Sequence, residues 1–162
     1  MKIELEVVDI NKPEDLNVII GHTHFIKSVE DIYETLVSGV PDIKFGLAFC
    51  EASGKCLLRV EGNDDSLKDI AVKNSLRIAC GHMFFIALGN AYPINILNQI
   101  KNIPEVCRIF CATANPLQVI VGKTSQGRAI LGVVDGYPPV GIEAEDDIKW
   151  RKALLRKIGY KL

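Results

Sequence analysis

Six consecutive apolar residues, Met83-Phe-Phe-Ile-Ala-Leu88, stand between Gly81-His82 and Gly89-Asn90. A run this short, bounded by turn formers, reads as a strand buried on both faces. Such a strand needs cover on either side, so the chain has to build layers of helix over sheet. The run is also far too short to span a bilayer. The N-terminus, Met1-Lys-Ile-Glu-Leu-Glu6, alternates polar and apolar residues and lacks the continuous apolar stretch of a signal peptide. These features predict a cytoplasmic protein with no membrane partner.

The remaining segments fall around that strand. Met1–Val8 and Asn17–Phe25 read as strands by alternation. Ser28 reads as the N-cap of a helix, with Asp31 three residues on, and Val29, Ile32, Tyr33, Leu36 and Val37 form its apolar stripe. Gly39 and Pro41 end it. Lys44–Cys50 and Cys56–Val60 suit a hairpin, with Gly54 free to take positive φ in the loop. Asp64 caps a helix to about Ala79, and Pro93 starts another that runs to about Asn102. Val106–Thr113 and Leu117–Lys123 read as a hairpin around Ala114-Asn-Pro116, followed by a strand at Arg128–Val134. The last helix covers about Asp146–Ile158. The order ββαββαβαβββα predicts an α/β, α+β-like fold: a single compact domain over 1–162 with a mixed β-sheet and helices packed on it.

Charge narrows the partners. Nineteen Lys+Arg against 20 Asp+Glu leave a formal net charge of −1 over 162 residues. A basic footprint for nucleic acid is absent. The five cysteines, Cys50, Cys56, Cys80, Cys107 and Cys111, include no Cys-x-x-Cys and sit mostly among apolar residues. They read as buried free thiols in a reducing compartment.

Gly122-Lys123-Thr124 imitates the end of a P-loop. The P-loop needs a glycine where this chain has Leu117, and a helix where it has Ser125-Gln-Gly and another strand. It reads as a strand-end turn. The segment Gly21-His22-Thr23-His24-Phe25-Ile26-Lys27-Ser28 is more suggestive. Period two puts His22 and His24 on one face of a strand that feeds a helix N-terminus, where free N–H groups and Lys27 suit a phosphate. A histidine there can accept a phosphoryl group, act as base or bind phosphate. No third ligand stands close enough to the two histidines to predict a metal site.

If the strands before Glu51 and Asn90 run parallel to the His24 strand, their carboxyl ends meet. That edge gathers His24, Lys27, Ser28, the Glu51–Lys55 loop and the Asn90–Tyr92 loop. Glu51 would orient or deprotonate a hydroxyl; Ser53, Gly54 and Lys55 would hold phosphate; Tyr92 would join the ligand site. His82 opens its strand, so a parallel course would set it at the opposite edge. Asn115 and Asp135 occupy turn sequences and are further ligand-binding candidates. Tyr137-Pro-Pro139 is a rigid turn or the shape of a subunit contact.

Several motifs, taken together, resemble the adenosine-specific kinase family: His24-Phe-Ile-Lys27, Phe45-Gly-Leu-Ala-Phe-Cys-Glu-Ala-Ser-Gly-Lys55, Ala79-Cys-Gly-His82, Tyr92-Pro-Ile-Asn95, Ala112-Thr-Ala-Asn-Pro116 and Arg128-Ala-Ile-Leu-Gly-Val-Val-Asp-Gly136. The resemblance spans essentially the whole chain. It implies a compact α/β domain assembling into an oligomer, a trimer, that binds adenosine and AMP and carries a stably phosphorylated histidine. His22 departs from the family pattern, which often has glutamine there. The strand-end argument makes His24 the first candidate for the phosphohistidine and His82 the second. Without a P-loop, a kinase must steady the phosphoryl group by positioning and charge, which Lys27 and Lys55 would supply. Magnesium is the expected companion of a phosphate donor, although no Asp/Glu pair marks its site. A non-enzymatic adenosine or AMP sensor and a scaffold oligomer are the alternatives.

Overall fold

The computed structural model describes residues 2–162. Its elements run β1 (Glu4–Asp9), β2 (Asn17–Thr23), α1 (Ser28–Gly39), β3 (Phe45–Cys50), β4 (Leu58–Gly62), α2 (Asp65–Ile78), β5 (Met83–Leu88), α3 (Pro93–Lys101), β6 (Val106–Thr113), β7 (Leu117–Lys123), β8 (Arg128–Asp135) and α4 (Glu145–Lys157). The order is the one read from the sequence, and the α+β-like fold class holds.

β5 is buried along its whole length. It lies at the centre of a five-stranded sheet ordered β4-β3-β5-β2-β6, beside a separate three-stranded sheet ordered β1-β7-β8. On one face of β5, Phe84, Ile86 and Leu88 pack with Ile32 and Leu36 of α1 and Ile96 and Ile100 of α3. On the other, Met83, Phe85 and Ala87 meet Leu67 and Ala71 of α2 and Val119 and Val121 of the small sheet. The chain therefore forms three layers, and each half of the period-two alternation in β5 serves a different one.

Local chemistry explains the helices. Asp64 accepts from the Leu67 amide at 3.1 Å and caps α2 as expected. Gly46 lets α2 close onto β3, since a Cβ there would lie 2.2 Å from the Leu67 carbonyl carbon. Buried Asn74 donates to the Asn11 carbonyl at 2.8 Å and accepts from the Asn11 amide at 2.8 Å, which ties the segment after β1 to α2.

Two expectations change. Every neighbouring strand pair is antiparallel, where a mixed sheet was expected. β2 and β3 do run the same way, joined by α1, but β5 inserts between them in the opposite direction. β6 and β7 are not a hairpin, because they belong to different sheets. Pro116 has no N–H with which to extend a ladder, and 114–116 instead carries the chain from the large sheet to the small one. No helix among the described residues is long and apolar enough to cross a membrane.

Candidate functional site

The antiparallel course of β5 decides what meets at the sheet edge. The carboxyl ends of β2 and β3 face the same way, and the start of β5 lies between them. His82 stitches the three together: its amide donates to the Cys50 carbonyl at 2.7 Å, and its carbonyl accepts from the Thr23 amide at 2.9 Å. His82 does this with φ at +60°, a left-handed conformation that non-glycine residues seldom hold. The expectation that His82 sits at the far edge is corrected: it joins the edge of His22, His24 and Glu51.

At that edge the His82 ring stacks on Phe49, with centroids 6.0 Å apart and planes 14° apart, and stands 6.0 Å from the His22 ring. His22 lines a cleft of about 330 Å³ with Cys80, Gly81, Cys107, Arg108 and Arg128. Burial, aided by His82 and Arg108, pushes the His22 pKa down and favours the neutral imidazole. Arg108 lies over the Phe110 ring at 5.8 Å and makes no ion pair among the described residues. Arg128 is tied down, bonding Glu6 at 2.7 Å and the Ile78 and Arg77 carbonyls.

A second cleft of about 450 Å³ shares Gly81, Arg128 and Ala129 with the first, and adds Glu51, Cys56, Gly122 and Thr124. Volumes of this size suit a nucleoside. A Cβ on Gly81 would approach the Ala52 Cβ to 2.9 Å, so glycine keeps the shared wall thin. Glu51 accepts from the Leu57 amide at 3.1 Å and from Arg59 at 3.0 Å, and both hold its carboxyl below the usual carboxylate range. It is a fixed, charged acceptor, suited to orienting a hydroxyl more than to taking its proton. Ser53, Gly54 and Lys55 form the exposed turn beyond Glu51, closed by the Cys56 amide on the Ser53 carbonyl at 3.2 Å, with Gly54 at φ +64°.

The α1 terminus differs from its sequence reading. Ser28 is not an exposed cap. Its hydroxyl is buried, donating to the Phe25 carbonyl at 2.6 Å and accepting from Thr23 at 2.8 Å. The Ser28, Val29 and Glu30 amides bond the carbonyls of Phe25, Ile26 and Lys27, so the tight turn before α1 uses the donors a phosphate would need. His24 is exposed, with its amide on the Glu105 carbonyl at 3.1 Å. Lys27 pairs with Asp31 and with Glu105 at 3.2 Å, which raise its pKa, and it faces the groove between α1 and α3 rather than the His22 cleft.

The remaining candidates gather at the opposite end. β5 exits there, so Tyr92 at the start of α3 is a full strand length from His82; its amide donates to the Asn95 side chain at 2.9 Å. The expected meeting of the Asn90–Tyr92 loop with His24 rested on a parallel β5 and does not occur. Asp135 accepts from Thr113 at 2.7 Å and from Asn115 at 3.0 Å, and all three brace the crossing between sheets. Gly122-Lys123-Thr124 ends β7 in the turn to β8, with the Thr124 amide on the Gly127 carbonyl at 2.8 Å, so no phosphate loop forms. Gly122 and Thr124 nevertheless wall the second cleft. Sequence reasoning missed Arg108 and Arg128. The signal was available for Arg108 only as an arginine in a strand of otherwise uncharged residues.

Comparison with known proteins adds the family. No curated protein matches the chain. The crystal structure of the PH1918 protein from Pyrococcus horikoshii OT3 is similar, with 49% sequence identity over 99% of each chain and a TM-score of 0.95. The family model described as adenosine specific kinase matches residues 8–161. With nearly the whole chain covered by that match, this protein belongs to the adenosine-specific kinase family.

Proposed function

We propose that the chain is a phosphotransferase that binds adenosine and AMP and carries the phosphoryl group on a histidine at the β2–β3–β5 edge. Family membership points to adenosine. The observation that carries the mechanism is the placement of His22 in a cleft with Arg108, its ring 6.0 Å from the His82 ring. His24 was favoured by the strand-to-helix argument, but the donors that argument needed are already bonded. One ring of the His22–His82 pair is the better acceptor.

An imidazole nitrogen attacks the terminal phosphorus of a nucleotide donor, and the phosphorus–oxygen bond to the leaving diphosphate breaks. A sugar hydroxyl of adenosine, oriented by Glu51, then attacks that phosphorus. The phosphorus–nitrogen bond breaks, and the hydroxyl proton passes to the freed imidazole nitrogen. Arg108 offsets the charge on the equatorial oxygens. Magnesium would travel on the donor's phosphates. The working form is an assembly of copies, a trimer.

Intact mass after incubation with donor tests the assignment. Wild type and His24→Ala should gain one phosphoryl group, and His22→Gln or His82→Ala should lose at least nine-tenths of it (about 1.4 kcal/mol per factor of ten). Full labelling of both latter variants would refute the pair. A second reading, a sensor without turnover, is favoured by the P-loop-like segment lying in a strand-end turn. Tight AMP binding with no conversion of adenosine to AMP would establish it.

A further inference from the structure

The two clefts beside His82 share one charged side chain. His22 and Arg108 line the first, Glu51 lines the second, and Arg128 lines both, together with Gly81 and Ala129. With the phosphoryl group on the histidine pair and a sugar hydroxyl beside Glu51, the phosphorus has to pass where the clefts join. Gly81 and Ala129 bring no polar side-chain atom to that junction, and Arg128 brings a guanidinium.

Arg128 is held firmly in this place. It stands at the start of β8, and its side chain is 19% exposed. A guanidinium carries five N–H donors in one rigid plane. Nε donates to the Ile78 carbonyl at 2.9 Å, Nη2 to the Arg77 carbonyl at 3.2 Å, and Nη1 to Glu6 of β1 at 2.7 Å. The two carbonyls belong to the last turn of α2, whose orphan acceptors suit a cation. Capping α2 takes those bonds alone. One N–H on each terminal nitrogen has no partner among the described residues. The bonded donors fix the plane, and a fixed donor needs no reorganisation when charge builds beside it. Arg108 is placed differently. It stands opposite His22 in the β2–β6 register and lines the first cleft but not the second.

We propose that Arg128 is a catalytic residue of the transfer to adenosine, an inference that rests on the phosphotransferase proposed above. Its two free N–H donors bind equatorial phosphoryl oxygens as phosphorus passes from the first cleft to the second. In that step the phosphorus–nitrogen bond breaks, and the bond from the sugar oxygen to phosphorus forms. The hydroxyl proton goes to the freed imidazole nitrogen. Arg128 exchanges no proton; it stays charged and offsets the charge on the transferring group. Arg108 steadies the phosphoryl group while it rests on the histidine.

Steady-state conversion of ATP and adenosine to ADP and AMP, with calorimetry of adenosine binding, tests the role. Arg128→Lys keeps the positive charge and loses the planar fork, and Arg128→Gln loses both. Each should lower kcat about a hundredfold or more, the scale of one preorganised donor, and leave adenosine affinity within about threefold. Glu6→Gln keeps the two carbonyl bonds and loosens one end of the plane, so kcat should fall about tenfold with the adenosine KM unchanged. That variant carries the test if neither Arg128 variant gives a folded far-ultraviolet spectrum. A wild type that makes AMP while the variants match its kcat overturns the role of Arg128 alone. So does a loss of adenosine affinity as large as the loss in kcat, because a misshapen cleft would then explain both. A wild type that makes no AMP overturns the phosphotransferase and this inference with it.

Discussion

The His82 amide donates to the Cys50 carbonyl at 2.7 Å while the His82 backbone holds φ at +60°. One strained residue thus closes the gap between the ends of β3 and β5. Glycine reaches this conformation freely, and alanine does not. His82→Gly should therefore be more stable than His82→Ala by about 1 kcal/mol, the reverse of their order in a strand interior. Denaturant unfolding of the two variants measures the difference. Equal stability would show that the backbone strain is absent.

His22 makes stability depend on pH in one direction. Its pKa is lowered in the folded chain, chiefly by burial. Below the ordinary histidine value of about 6.5, the unfolded chain binds the proton more readily than the native one. The stability His22 contributes is complete above that value and is lost as pH falls through the lowered one. His22→Gln should flatten the stability profile on the acid side, as read from unfolding midpoints between about pH 4 and 7.

The thiols should divide by environment. Burial pushes Cys50 and Cys111 up to about 12 and Cys80 up to about 11. Cys56 and Cys107 are exposed, and each lines one of the two joined clefts. A thiol reagent at pH 8 should modify Cys56 and Cys107 in the native protein and the other three only after unfolding. Adenosine or AMP should slow modification of one or both. Peptide mapping identifies the sites, and unprotected labelling at saturating ligand would place the nucleoside elsewhere.

Charge should separate the phosphate from the nucleoside. Arg108 is unpaired at the His22 cleft, whereas Lys27 is occupied by Asp31 and Glu105. Arg108→Gln should weaken AMP about tenfold or more, on the order of the 1.5–3 kcal/mol of a charge-assisted hydrogen bond, and change adenosine binding little. Lys27→Met should leave the AMP affinity within about threefold. Calorimetry with both ligands reads the contrast.

Much of the fold was legible because its signals are local. The apolar run of β5, the Asp64 cap and the turn at Gly54 each follow from a few adjacent residues. Strand direction was not legible, since it depends on which strands meet after the chain has crossed the sheet. That one unknown scattered the site: it put His82 too far away and Tyr92 too near. Ser28 looked like a cap because its type and spacing fit, and only the buried Thr23 hydroxyl opposite it reveals the other use. Arg108 and Arg128 escaped notice because a cleft between two sheets has no sequence signature.

The pairing of β1 with β7 joins Glu4 to Lys123 and Asp9 to Gln118. A strand from the start of this fold is thus held by one from near its end. During synthesis β1 must wait, with Val8 uncovered and its backbone edge unpaired, until β7 has emerged. The small sheet is then a late, high-contact-order step, and the waiting strand is where a nascent chain is most open to wrong partners.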